Sequence, residues 1–366
     1  MNNALESKDR SPNLASAAKS HWVLISAIFI YSIAAARESA HRPLDLDVFF
    51  LAQAILGPII LGALCTTCIY VTYVMVCVRP QRLTHYAWTA ARTYLSRQRM
   101  LNALPVVVLF PLFTYAFTYL KFLIPVIHPY SWDVSFAQLD AILHGGMHPW
   151  MWLQPMFGYP AVTASINVVY NLWFFVIYAI IYWLAFSIER QALRMQFLLS
   201  FVFSWIVLGT ILATIFSSAG PCFYGLTVAG TDPYGPLMTY LREANQQYPI
   251  WALDVQRMLW QGYQEKNSAF AISAMPSMHV ATAVLIALLG ARINRTCAMA
   301  SLAFAVVIMI GAVHLGWHYA IDGYVGAIGA CVIWYVVGLM MATSARLAAR
   351  IQNLPSKVFS SSGSAS

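Results

Sequence analysis

Charges in this chain are unusually far apart. No Asp, Glu, Lys or Arg lies between Arg99 and Lys121, Asp140 and Glu189, Arg194 and Asp232, Arg295 and Asp322, or Asp322 and Arg346. A helix rises about 1.5 Å per residue, so about 20 apolar residues cross a ~30 Å hydrocarbon core. Each gap is long enough to do so. In lipid the backbone must bond to itself, which restricts such segments to helices or closed barrels. Composition agrees: charged residues are 9%, hydrophobic residues 60%, and mean hydropathy is +0.66. A soluble domain carries about 25% charge. The expected fold class is an all-α integral membrane protein.

Apolar runs suggest about eight spans, at 22–36, 49–78, 103–124, 161–188, 196–217, 277–291, 297–316 and 320–342. The first is short and the sixth needs its flanking residues to reach full length. Lys and Arg are retained in the cytoplasm. With the N-terminus inside, most of them fall in cytoplasmic segments, notably 79–100, and most acids fall outside. Both termini are then cytoplasmic. The long connections at 125–160 and 218–276 face the periplasm, the extracellular side or an organelle lumen. The net charge of +8 follows from this topology and calls for no nucleic acid. The first twenty residues are polar, and no cleavable signal peptide is expected. The division expected is a cytoplasmic segment (1–21), two helices with a basic connection (22–100), a six-helix core (101–345) and a disordered cytoplasmic tail (346–366).

Two polar motifs flank one apolar hairpin: Met275-Pro276-Ser277-Met278-His279 and His318-Tyr319-Ala320-Ile321-Asp322. With 17–20 residues per crossing, His318 returns to the face that His279 left. Pro276 and Ser277 read as a helix opening, where backbone amides and the helix dipole suit an anion. His318 and Asp322 are four apart, on one helical face. A carboxylate on one ring nitrogen leaves the other free to attack or to take a proton. Each motif alone also fits a structural role. Asp140, His144 and His148 have metal-like spacing, but Gly145 and Gly146 weaken that helix and no further ligand is evident. No metal or cofactor is expected. Aromatic residues at 129–150 suggest an interfacial cap.

The pair of motifs resembles the type 2 phosphatidic acid phosphatase (PAP2) superfamily. The fuller strings, Ala274–His279 and His318–Gly323, are more similar to its inositol phosphorylceramide synthase-like branch, an inositolphosphotransferase. The resemblance is strongest over 270–330 and extends to a six-helix core, leaving two N-terminal helices as an addition. It implies a metal-independent, two-step phosphoryl transfer. His318 would be the nucleophile, Asp322 would orient it, His279 would be acid then base, and Ser277 would help hold phosphate. Lipid substrates, a phospholipid or sphingolipid, are the implied partners, and the oligomeric state stays open. Two cationic positions typical of the superfamily's phosphatases are missing. Ser217–Tyr224 stands where a Lys-x6-Arg-Pro motif would fall, and Ala312 where an Arg would. Arg79-Pro80 is a decoy on the cytoplasmic side. Candidates for the replacement cation are Lys121, Arg242, Arg257, Lys266 and His314, with Lys121 preferred. Transfer to a lipid hydroxyl, hydrolysis by water, and a non-catalytic transporter or scaffold remain open.

Overall fold

A computed structural model describes residues 13–42, 60, 67–68, 70–265 and 271–352, with side chains to 347. Every regular element among them is helical. The elements used below are α1 (Leu14–Ser20), α2 (Trp22–His41), α3 (Leu83–Tyr94), α4 (Arg97–Ile127), α5 (Asp133–Leu143), α6 (Pro149–Phe157), α7 (Pro160–Phe186), α8 (Gln191–Ile215), α9 (Gly235–Asn245), α10 (Trp251–Glu265), α11 (Met278–Ala291), α12 (Arg295–His314) and α13 (Ala320–Gln352). Six of these, α2, α4, α7, α8, α12 and α13, are long and apolar enough to cross a membrane. The expected span at 49–78 lies mostly outside the described residues.

Sequence chemistry sets the helix ends. Pro149 and Pro160 open α6 and α7 at positions where a missing N–H costs nothing. Asn294 caps α12 through the Cys297 amide at 2.8 Å, and Ser277 caps α11 through the Val280 amide at 3.4 Å. Three prolines lie inside α4, which neighbouring helices tolerate in a membrane bundle.

The short α11 is the centre of the bundle, packed against α7, α8, α12 and α13. Its buried residues, including Val280, Ala281, Ala283, Leu285 and Ile286, cover its whole circumference, as expected for a helix with no solvent face.

The hairpin of α11 and α12 corrects the equal-arm arithmetic. Its arms are 14 and 20 residues, not a matched pair. The chain then turns back: Gly316 takes φ +74°, a conformation that glycine adopts freely, and the His318 amide donates to the Ala312 carbonyl at 2.9 Å. The turn brings His318 back down to the level of His279.

Candidate active site

The two motifs are joined through backbone. The Ser277 amide donates to the Asp322 carbonyl at 2.9 Å, and the α13 backbone at Gly326 is so close that a Cβ there would lie 2.6 Å from the Ser277 carbonyl oxygen. The His279 and His318 rings are 6.2 Å apart, centroid to centroid. His279 is packed in aromatic rings, stacked on Tyr170 at 4.6 Å and tilted against Trp173 at 4.3 Å. His318 is 7% exposed.

The tautomer of His318 follows from its partners. Nδ1 lies 2.9 Å from the Ala274 carbonyl, an oxygen that can only accept. Nδ1 therefore carries the proton, and Nε2 keeps its lone pair. The Asp322 carboxylate stands further off, 3.4 Å from Nδ1. Ala274 is thus the primary orienter, and the Asp322 carboxyl group stands beside the ring. Burial pushes the His318 pKa down to about 3; the Ala274 bond opposes this and the Lys121 ammonium adds to it. Lys121 is therefore within electrostatic reach of the ring.

Three carboxylates hold this end of the bundle by accepting backbone N–H groups. Asp322 takes the Tyr319 amide at 3.0 Å, half of a capping box. Asp140 takes the next two amides of α13, Ala320 at 2.7 Å and Ile321 at 2.9 Å. An anion is thus already seated at the N-terminus of α13. Burial raises the Asp140 pKa, while both amides and His144 oppose the shift. Asp133 takes the Ala219 and Gly220 amides at 2.9 and 2.8 Å, and the Tyr319 hydroxyl at 2.8 Å. Gly220 has φ +100°, and a Cβ there would stand 2.7 Å from the Trp317 carbonyl. Loop 217–220 is completed by Ser218, whose carbonyl and hydroxyl accept the Ala274 and Met275 amides.

Asp133 and Asp140 were missed as supports for the site. A signal was available: Asp133, Phe136, Ala137 and Asp140 follow i, i+3, i+4, i+7, and these four are the buried face of α5. An acid at both ends of an apolar stripe needs partners.

Other expected residues go elsewhere. His314 is fully buried and bonds Thr163 at 2.9 Å, beside Phe157 and Tyr240. The spacing of Asp140, His144 and His148 does not converge: His144 bonds Tyr324 at 2.9 Å and His148 lies 3.3 Å from Tyr234. Arg242 and Arg257 border an open groove of about 450 Å³ on α9 and α10, where Arg257 pairs with Asp254 at 3.3 Å. Lys266 lies outside the described residues. In the aromatic segment, Tyr130 donates to the Ile272 carbonyl at 3.1 Å, tying it to the run before Pro276.

The fold and this cluster define a multi-pass, all-helical membrane protein with a buried histidine pair. A family model for the PAP2 superfamily matches residues 134–336, from α5 into α13, and the chain belongs to that superfamily. Such membership points to a lipid phosphatase or phosphotransferase. Comparison with curated proteins finds no match, and comparison with solved structures finds none.

Proposed function

We propose that this protein transfers a phosphoryl or phospho-headgroup unit, such as phosphoinositol, between lipids through a phosphohistidine intermediate at the outer membrane face. The observation that carries the reading is the state of His318: Nδ1–H is held by Ala274, and Nε2 has no partner among the described residues. Nε2 attacks phosphorus and the bond to the departing lipid oxygen breaks. His279, holding a proton against the negative charge of the bound phosphate, gives it to that oxygen. The phosphorylated ring keeps its Nδ1 proton, and Asp322 offsets its positive charge. In the second step the acceptor hydroxyl gives its proton to His279, its oxygen attacks phosphorus, and the N–P bond breaks. Fixed donors around the phosphoryl oxygens supply much of the acceleration in such reactions. Lys121 is the cation assigned to this task, and Ser277 the hydroxyl at the helix start. His314 is left out of the phosphate contacts.

The strings at 274–279 and 318–323 support the inositol phosphorylceramide synthase-like branch, with a sphingolipid acceptor. The distribution of Lys and Arg supports cytoplasmic termini and an outward-facing site in a core spanning 101–345. Hydrolysis is the same chemistry with water as acceptor.

His318→Ala is expected to abolish turnover while the protein keeps its melting temperature within a few degrees. Acid-labile phosphate trapped on the wild-type chain, and missing from the variant, would identify the intermediate. Full activity in the variant would sink the mechanism. Comparing lipids from membranes with and without active protein then separates the reactions: a lost phosphosphingolipid means transfer, and an accumulated lipid phosphate means hydrolysis.

A further inference from the structure

At the end of the bundle opposite the histidines, charge of one sign gathers without a counter-charge. Arg79, Arg82, Arg92, Arg97 and Arg99 fall in one short stretch, and no Asp or Glu lies between Asp47 and Asp133. None of the five enters an ion pair among the described residues. Guanidiniums gathered this way repel one another unless an outside anion joins them.

The stretch and the histidines are held apart by α4. Arg99, in its first turn, donates to the Phe186 carbonyl at the end of α7 at 3.1 Å. Beyond its last turn, the Ser131 amide donates to the Ser217 carbonyl, beside the histidine site. The 31 residues of α4 span about 46 Å, enough to set the two regions at opposite membrane surfaces.

Between Arg82 and Arg97 lies α3, which buries no residue and, at 12 residues, is too short to cross a bilayer. Leu83, Ala87, Ala90 and Tyr94 follow i, i+4, i+7, i+11 and make an apolar stripe, with His85, Thr89 and Arg92 on the other side. Trp88 is 70% exposed, and Tyr86, Tyr94 and Leu95 are exposed as well. An amphipathic helix with exposed aromatic rings and flanking arginines suits the plane of a membrane interface. An open groove of about 420 Å³ runs from α3 to α4, lined by Tyr86, Thr89, Ala90, Thr93, Tyr94 and Arg99. Arg99 is fixed at this groove by the Phe186 carbonyl and by the Tyr94 ring, whose centroid lies 4.7 Å from the guanidinium carbon. A guanidinium has five N–H donors, so most of its donors are left for an anion.

This mixture selects the occupant. A soluble anion would answer the arginines and leave the aromatic stripe in water. A neutral lipid would cover the stripe and leave the charge. An anionic phospholipid brings phosphate and acyl chain in one molecule, and phosphate matches the guanidinium fork. We propose that α3 and the start of α4 form a docking surface for anionic phospholipid at the membrane face opposite the histidines, with Arg99 on a lipid phosphate.

The test follows hydrogen exchange of the α3 amides in the full-length chain, in nanodiscs of phosphatidylcholine alone or mixed with phosphatidylglycerol. Exchange is expected to be about tenfold slower in the anionic discs, and high salt should remove the difference. Replacing the exposed arginines together, as Arg82→Gln, Arg92→Gln and Arg97→Gln, should also remove it. Arg99→Lys keeps the charge but not the fork and should lose part of it; full retention there would overturn the phosphate contact. Equal exchange of the wild-type chain in both discs overturns the proposal. Protection that is the same in both discs and indifferent to salt also overturns it, since protein would then be covering α3. Soluble glycerol phosphate added to neutral discs should change nothing; slowing by it would mean a free anion, and no lipid, is the ligand. The salt arm uses the wild-type chain and decides the matter even if the triple variant fails to fold.

Discussion

The two ends of α8 bury charge of opposite sign, and both use it on backbone. At the Ile215 end, Asp133 and Asp140 accept amides from loop 217–220 and from the start of α13. At the Gln191 end, Arg194 donates to the Leu184 carbonyl at 2.6 Å and the Asn102 carbonyl at 3.0 Å. Arg99 and Asn102 add bonds to the Phe186 and Ser187 carbonyls. Anions thus serve exposed helix N–H groups and cations serve exposed C=O groups, as the helix dipole favours. The ends differ in what is left over. The Arg194 system closes on His21, whose Nε2 lies 2.8 Å away, and is complete. The aspartate system leaves the Asp322 Oδ1 atom without a partner among the described residues. One end is a finished joint, and the other is a scaffold with an open valence.

Breaking the scaffold should be the more damaging change. Asp140→Ala strands two amides at the start of α13 and is expected to cost about 4 kcal/mol, at 1–3 kcal/mol per buried unsatisfied group. Turnover should fall at least tenfold in the protein that still folds, measured as activity per folded molecule. Arg194→Met should cost about 3 kcal/mol and leave the activity of the folded fraction within twofold. If this variant lost activity per folded molecule as badly as Asp140→Ala, the division between the two ends would collapse.

The smallest effect expected is the share of the pH dependence carried by His21. Burial lowers the pKa of His21 below 6.5, and the Arg194 charge adds to the shift against the Ala17 bond. The unfolded chain then binds the proton more readily. This stability is present above pH 6.5 and is lost as pH falls below it. His318 acts with the same sign over the window from 6.5 to about 3. Melting temperature should decline on acidification, and His21→Asn should make the decline shallower. An acid limb with the same slope in that variant would show that neutrality of His21 does not matter to the joint.

Local pattern carried much of this protein, and long-range partnership did not. The charge-free gaps gave the helices, because burial in lipid acts on each segment separately. Ser277, His279, His318 and Asp322 stand out in the sequence because each pair shares a helix start, and the structure brings the two pairs together. What the sequence hid depends on distant partners: Asp140 meets Ala320, Asp133 meets Ala219, and His318 meets a carbonyl at Ala274. A backbone carbonyl has no residue signature, so Asp322 looked like the sole orienter of His318. His314 looked like a site residue because it precedes His318 by one turn, but its ring is bonded to Thr163. The unequal arms were hidden as well, since hydropathy does not show where Ser277 starts the helix.

Those arms make the protein a depth gauge. Fourteen residues span about 21 Å and twenty about 30 Å. With the turn at 292–294 at one membrane surface, His279 lies about 9 Å short of the level that α12 reaches. A lipid already anchored by its tails would need to lower only its headgroup to that level. A water-soluble phosphate ester must shed its hydration and descend with no tail to hold it there. Selection for lipids can thus begin with the length of one helix, before any headgroup contact is made.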